Sequence, residues 1–325
     1  MKTFFPRRTL LGASFLSLLP LPLQAAHGLS GPVDGSVGPT LFVGDQKGGV
    51  RSLLRAAGQL EQLPYRIQWA SFPVGAPLIS AIASGALDFG YVGDATATFT
   101  FAAGSPLKAI SAWHVDGKSN ALLVPRNSKA RTMRDLIGRR VAFVKGSPGH
   151  LLVLAALRQE GLDVGQIAQA PLAAANARMA LSSGSVDAWA IWDPYAATAE
   201  LEDHARILLT AHGLVDEVEC GIASEAAIIK KRSELTDFMS RVGKALAWGA
   251  THLEERAVAF SRDTGTPLDI ARVSSSRMVM TALPSVTDEV IAIHQKVADL
   301  YQTAGVIPSR LNVSDFYNRS FLIPV

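Results

Sequence analysis

"VDAWAIWDPY", residues 186–195, reads as a buried strand that runs into a helix. Strand side chains alternate between faces, so Asp187, Trp189 and Ile191 share one side and Ala188, Ala190 and Trp192 the other. The two rings therefore cannot line one sheet face. Asp193 followed by Pro194 is a helix-start pair, an N-cap and a first helical residue, which leaves Trp192 at the strand's last turn. In open α/β sheets, ligands sit where strands give way to helices. Trp192 is accordingly the expected wall of a binding cleft, while Trp189 suits core packing at least as well. Asp193 suits a structural cap better than a ligand contact, because a bare carboxylate opposes an anion unless the ligand also carries an amine.

The same alternation of short apolar runs and longer amphipathic ones extends along the chain. "LFVGDQ", "YRIQWASF", "LDFGYVG", "LKAISAWHV" and "NALLVP" read as strands, with helices over "GGVRSLLRAAGQLEQL", "APLISAIASG" and "ATATFTFAAG". From about residue 130 the pattern restarts with "RVAFVKG", "HLLVLAALRQEG" and "ANARMALSSG", and beyond about 225 it is mostly helical. The expected fold is α/β with two lobes, the second inserted in the first: residues 39–124 and 225–325 form lobe 1, residues 125–224 lobe 2, and the crossovers fall near 122–128 and 218–226.

With 325 residues, 48% of them hydrophobic, the chain can bury two substantial cores. Residues 1–26 stand apart: Lys2, Arg7 and Arg8 precede the apolar run "TLLGASFLSLLPLPL" and the small residues of "LQAA", the pattern of a cleavable export signal. Gly12, Pro20 and Pro22 interrupt that run, which argues against a membrane-spanning anchor. "PRRTLLG" leaves the twin-arginine and general secretory routes both open. Removing those three cations takes the formal charge from +3 to neutrality, so no bulk basic footprint for nucleic acid remains. Cys220 is the only cysteine, which excludes an intramolecular disulfide and a thiolate metal cluster. The seven histidines show no metal-ligand spacing, and neither metal nor cofactor is expected.

Four strand-to-helix junctions carry glycine or polar residues: "GDQKGG" (44–49), "GYVGDATA" (90–97), "VKGSPGH" (144–150) and "AIWDPY" (190–195). Each could direct unpaired backbone N–H groups into a shared cleft, which suits a small anion. Ordinary turn chemistry accounts for any one of them equally well. Lys47 and Lys145 are the candidate cations, and Ser147 the candidate hydroxyl, although a serine N-cap would look the same.

At these residues the chain resembles the periplasmic substrate-binding proteins of ABC importers for aliphatic sulfonates, within the wider sulfonate, taurine and nitrate group. "DQKGG", "SGALDFGYVGD", "RRVAFVKGSPGHLLVLAALRQEGL" and above all "VDAWAIWDPY" carry the resemblance. It implies a type II periplasmic-binding-protein clamshell that binds a small organic sulfonate as a monomer and delivers it to an inner-membrane permease with its ATPase. It also implies ligand contacts from Gln46 and Lys47, from Gly93, Asp94, Ala95 and Thr96, from Ser147, Gly149 and His150, and from Trp189, Trp192 and Asp193. Pro148 and Gly149 stand where the family commonly has hydroxyl residues, and Ala95–Ala97 replace an apolar, proline-rich segment, so the ligand tail is expected to differ.

Taurine, a sulfate ester or nitrate would be the alternative ligands. A rival from another class is an enzyme on the same fold, a desulfinase or a thiamine-precursor synthase. Against it, no cysteine lies in the N-terminal loops and no GxSxG elbow is present. A binding protein without turnover is the expectation.

Overall fold

The structure, a computed structural model, describes residues 38–46 and 49–324; the expected export signal and Lys47 lie outside them. The first part of the chain alternates β1 (Thr40–Gln46), α1 (Val50–Ala56), β2 (Arg66–Phe72), α2 (Gly75–Ala83), β3 (Phe89–Gly93), α3 (Asp94–Ala102) and β4 (Lys108–Val115). The middle part follows with β5 (Asn120–Val124), β6 (Arg140–Phe143), α4 (Pro148–Gln159), β7 (Ala168–Pro171), α5 (Ala174–Ser182), β8 (Ala188–Trp192), α6 (Tyr195–Leu201) and β9 (Arg206–Thr210). The last part holds β10 (Glu217–Ala223), α7 (Glu225–Lys230), α8 (Arg232–Thr251), α9 (Leu253–Thr264), α10 (Leu268–Arg277), β11 (Met280–Ala282) and α11 (Asp288–Thr303).

The strands form two sheets, ordered β11-β4-β10-β3-β1-β2 and β7-β6-β8-β5-β9. In each, parallel βα units supply one part (β1 beside β2 and β3; β6 beside β7 and β8), and antiparallel strands complete it. This is a two-domain α/β fold of the type II periplasmic-binding-protein kind. The pairing corrects the expected lobe boundaries: Asn120–Val124 joins the second sheet and Glu217–Ala223 the first. The chain crosses just before β5 and just before β10, where the two connections touch. His212 Nδ1 lies 2.8 Å from the Asp116 carbonyl oxygen. A Cβ on Gly117, whose φ is +75°, would stand 2.8 Å from the Ala211 carbonyl carbon, so glycine is required there twice over.

Each sheet is covered on both faces. Leu41, Val43 and Phe89 pack against α8, whose Leu235, Phe238, Met239, Val242 and Leu246 recur at helical spacing. The opposite face meets α2, α3 and α11 through Leu78, Phe101 and Val290. In the second sheet Ala188 and Ala190 face α4, whereas Trp189 and Ile191 face α5 and α6, as the alternation in the opening stretch requires. A smaller cluster of Ala95, Leu151, Leu154, Val297 and Tyr301 joins α3, α4 and α11, and so bridges the lobes. The expected helix over residues 48–63 is shorter, ending at Ala56, because Gly58 takes a left-handed conformation.

Candidate functional site

Between the two sheets lies a cleft of about 400 Å³, bounded by all four of the junctions singled out above. Gln46, Gly93, Thr96, Ser147, Trp192 and Asp193 line it, as do Lys145 and Pro148. Trp192 is half-buried and meets Tyr195 edge-on, with ring centroids 6.0 Å apart. Gln46 Nε2 donates to the Tyr91 carbonyl at 3.2 Å, which fixes the end of β1 to β3. Thr96 Oγ1 donates to the Gly146 carbonyl at 3.2 Å, a contact from one lobe to the other.

At the start of α4, Ser147 is an N-cap: its oxygen accepts from His150 N–H at 3.3 Å while its proton goes to the Val144 carbonyl at 2.7 Å. The Tyr301 hydroxyl adds a bond to the Ser147 carbonyl at 3.3 Å, which ties this turn to α11. At the start of α6, Asp193 Oδ1 accepts from Ala197 N–H at 2.9 Å, whereas Oδ2 is buried without a partner among the described residues. Burial raises the Asp193 carboxyl to about 6, against the lowering influence of Arg277, 3.9 Å away.

Two carboxyls that sequence reasoning missed share the cleft. Glu217 and Glu219 lie on β10, a stretch read as a crossover, so neither entered the candidate set. Glu217 Oε2 accepts from Asn120 Nδ2, and its Oε1 is buried without a partner among the described residues. Burial, with Asp94 and Glu219 nearby, pushes Glu217 well above the ordinary carboxylate range; burial and Asp94 raise Glu219 to about 8. On the same cleft, Lys145 is an exposed cation, while Arg178 is tied to Asp203 and Glu202. Among the described residues the cleft can thus offer an anion the Lys145 ammonium and carboxyls that become neutral donors once protonated.

A family described as NMT1/THI5 like matches residues 74–255. An aliphatic sulfonates-binding protein of Escherichia coli (strain K12) is 32% identical over 276 residues, covering 84% of this chain and 86% of the relative. The chain belongs to the sulfonate- and taurine-binding family of periplasmic binding proteins. Among solved structures, the alkanesulfonate-binding protein SsuA from Xanthomonas axonopodis pv. citri, bound to MOPS, superposes with a TM-score of 0.79 at 29% identity, covering 88% of this chain and 100% of that one. A mutant of the enzyme DSZB in complex with biphenyl-2-sulfinic acid shares the fold at a TM-score of 0.64 and 14% identity, covering 88% of this chain and 98% of that one. Binding of a small solute for transport, partnership with an ABC permease and a periplasmic setting are typical of the family.

For this family member the geometry corrects five of the expected contacts. Trp189 is fully buried between the second sheet and its helices and does not line the cleft. Asp94 faces inward, its carboxylate accepting from Ala95 N–H at 2.7 Å and Val218 N–H at 2.9 Å, so it splices α3 to β10; burial raises it to about 7. Ala95 belongs to the bridging cluster, and its N–H is occupied by Asp94. Gly149 is a packing residue: a Cβ there would lie 2.5 Å from the Ala190 carbonyl oxygen. His150 stacks on Phe143 at 4.3 Å, and Nδ1 accepts from Gly146 N–H at 3.3 Å. Burial, with Lys145, lowers it to about 4, so the ring is neutral at pH 7. The expected cap at 193–194 also differs: α6 begins at Tyr195 with Pro194 preceding it, and Asp193 reaches the helix from one residue further back.

Cys220 is buried on β10 with its Sγ 3.3 Å from the Tyr317 hydroxyl oxygen, and burial pushes its thiol up. It faces the core shared with α2, α3 and α11 rather than the cleft.

Proposed function

We propose that the protein is the solute-binding component of an ABC importer, which takes an organic sulfonate into the cleft between its lobes and delivers it to an inner-membrane permease and ATPase for sulfur uptake. The lobes are residues 38–116 with 217–324, and residues 119–211. The chain acts as an exported periplasmic monomer, without metal or cofactor and without turnover. One observation carries the reading: strand ends from both sheets meet at a single cleft in a chain that is 32% identical to an aliphatic sulfonates-binding protein along most of its length. Gln46, Gly93, Thr96, Lys145, Ser147, Trp192 and Asp193 form the ligand wall, and Lys47, outside the described residues, stays in the expected contact set. Lys145 and the Thr96 backbone N–H at the start of α3 meet the sulfonate, and Trp192 covers the tail.

Thermal unfolding against alkanesulfonates, taurine, nitrate and sulfate tests this, because a ligand that binds only the folded state raises the midpoint as RT ln(1 + [L]/Kd). Alkanesulfonates are expected to raise it and nitrate to leave it unchanged. A response to nitrate or sulfate alone would overturn the assignment.

A second reading is supported by the unpartnered oxygens of Asp193 and Glu217. Ionised, they would suit the ammonium of an aminosulfonate such as taurine. Taurine binding more tightly than propanesulfonate would favour it.

A further inference from the structure

Beside the cleft, and opening into it, lies a recess of about 110 Å³. Gln46, Gly49, Glu219, Phe260, Met278 and Met280 border both spaces. Further in, the recess is walled by Val50, Leu53, Tyr91, Trp113 and Leu246, on the face of the first sheet covered by α1 and α8. Apolar cavities on the order of 150 Å³ admit benzene-sized guests and otherwise stay dry. The volume and lining are therefore those of a site for one six-membered ring.

Three features select an aromatic ring over an alkyl chain. Tyr91 and Trp113 present a joined aromatic wall, with ring centroids 4.0 Å apart. Met278 and Met280 stand at the mouth, where their thioethers favour aromatic edges. The Arg256 guanidinium donates to the Met278 carbonyl at 2.9 Å, and among the described residues no carboxylate pairs with it, which leaves a planar cation at the wall for a ring face. Trp113 Nε1 is buried without a partner among the described residues, so a ring bearing an acceptor is also accommodated. Of the two acids of this wall, Glu219 stands at the border with the cleft, and Asp45 is engaged elsewhere, since its Oδ1 accepts from Val50 and Arg51 N–H.

We propose that this recess is a tail subsite and that the protein accepts aryl- and arylalkyl-sulfonates, the sulfonate resting in the cleft and the ring entering between Trp113 and Phe260. This rests on the sulfonate reading of the cleft. Isothermal titration of the mature chain, in a buffer free of sulfonates, with methanesulfonate and phenylmethanesulfonate tests it. Burying one ring is expected to make phenylmethanesulfonate bind about 10- to 100-fold tighter. Leu246→Phe and Val50→Leu, which fill the recess from two sides and lie outside the cleft, should erase that gain and keep methanesulfonate within about 3-fold of the unsubstituted protein. Two variants are used because Leu246→Phe overpacks a buried site. Equal affinity for the two ligands, or a gain that survives both substitutions, would overturn the subsite and leave the sulfonate reading intact. Silence toward both ligands would instead overturn the sulfonate reading, and the subsite with it.

Discussion

The turns after β6 and β8 stand side by side in the second sheet and carry similar glycine, proline and polar residues, yet they do opposite things. After β6, the Ser147 hydroxyl is engaged both as donor and acceptor, His150 is stacked with Nδ1 hydrogen-bonded and Nε2 buried away from the cleft, and Gly149 is pressed against β8. After β8, Trp192 is half-buried at the cleft and Asp193 keeps one buried oxygen without a partner. The first turn builds a rigid wall; the second leaves atoms for a ligand. What separates a scaffold from a contact is where an unmatched polar atom lies, since the His150 ring nitrogen is packed away from the cleft and the Asp193 carboxylate borders it, and residue type alone does not decide it.

Substitutions can break or sharpen this contrast. The largest effect is expected from the two tryptophans. Trp189→Ala should lower stability by about 3–5 kcal/mol, as for other fully buried large aromatics, whereas Trp192→Ala should leave unfolding by denaturant nearly unchanged and weaken sulfonate binding by about 10- to 100-fold. Next, Gly149→Ala forces α4 away from β8 and should cost about 1–3 kcal/mol in the same measurement.

The carboxyls at the cleft give a smaller effect with a definite sign. Glu219 and Asp193, raised to about 8 and about 6, are neutral below those values, and an anion beside them favours the neutral form. Sulfonate affinity should therefore rise by about 3- to 10-fold as pH falls from 8.5 to 6, and Glu219→Gln should flatten the upper part of that profile. The ligand-free protein should lose stability over the same groups as pH rises from near 4, where the unfolded carboxyls release protons that the folded ones retain. The smallest effect is expected at Ser147: Ser147→Ala removes a cap, about 1 kcal/mol, with less than a threefold change in sulfonate affinity.

The strand and helix alternation was legible because its periods of 2 and 3.6 are local, and the opening stretch placed Trp189 and Trp192 in different surroundings for the same reason. β10 was not legible as a strand: in "EVECGIA" two glutamates interrupt the apolar run, and only pairing with β3 and β4 buries them. The four junctions do meet at one cleft, but the roles within them depend on partners distant in sequence. Asp94 is turned inward by Val218, 124 residues away, and the Ser147 carbonyl is held by Tyr301, 154 residues away. Local patterning contains no record of such contacts. The aromatic recess draws on β1, β3, β4 and the C-terminal helices, and no motif announces it.

The most direct test is a crystal structure with saturating phenylmethanesulfonate, its sulfur located by anomalous scattering. The sulfur is predicted to lie in the cleft bounded by Gly93, Ser147 and Trp192, with the ring directed toward Trp113. A sulfur bound on any other surface, with that cleft empty, would contradict the account.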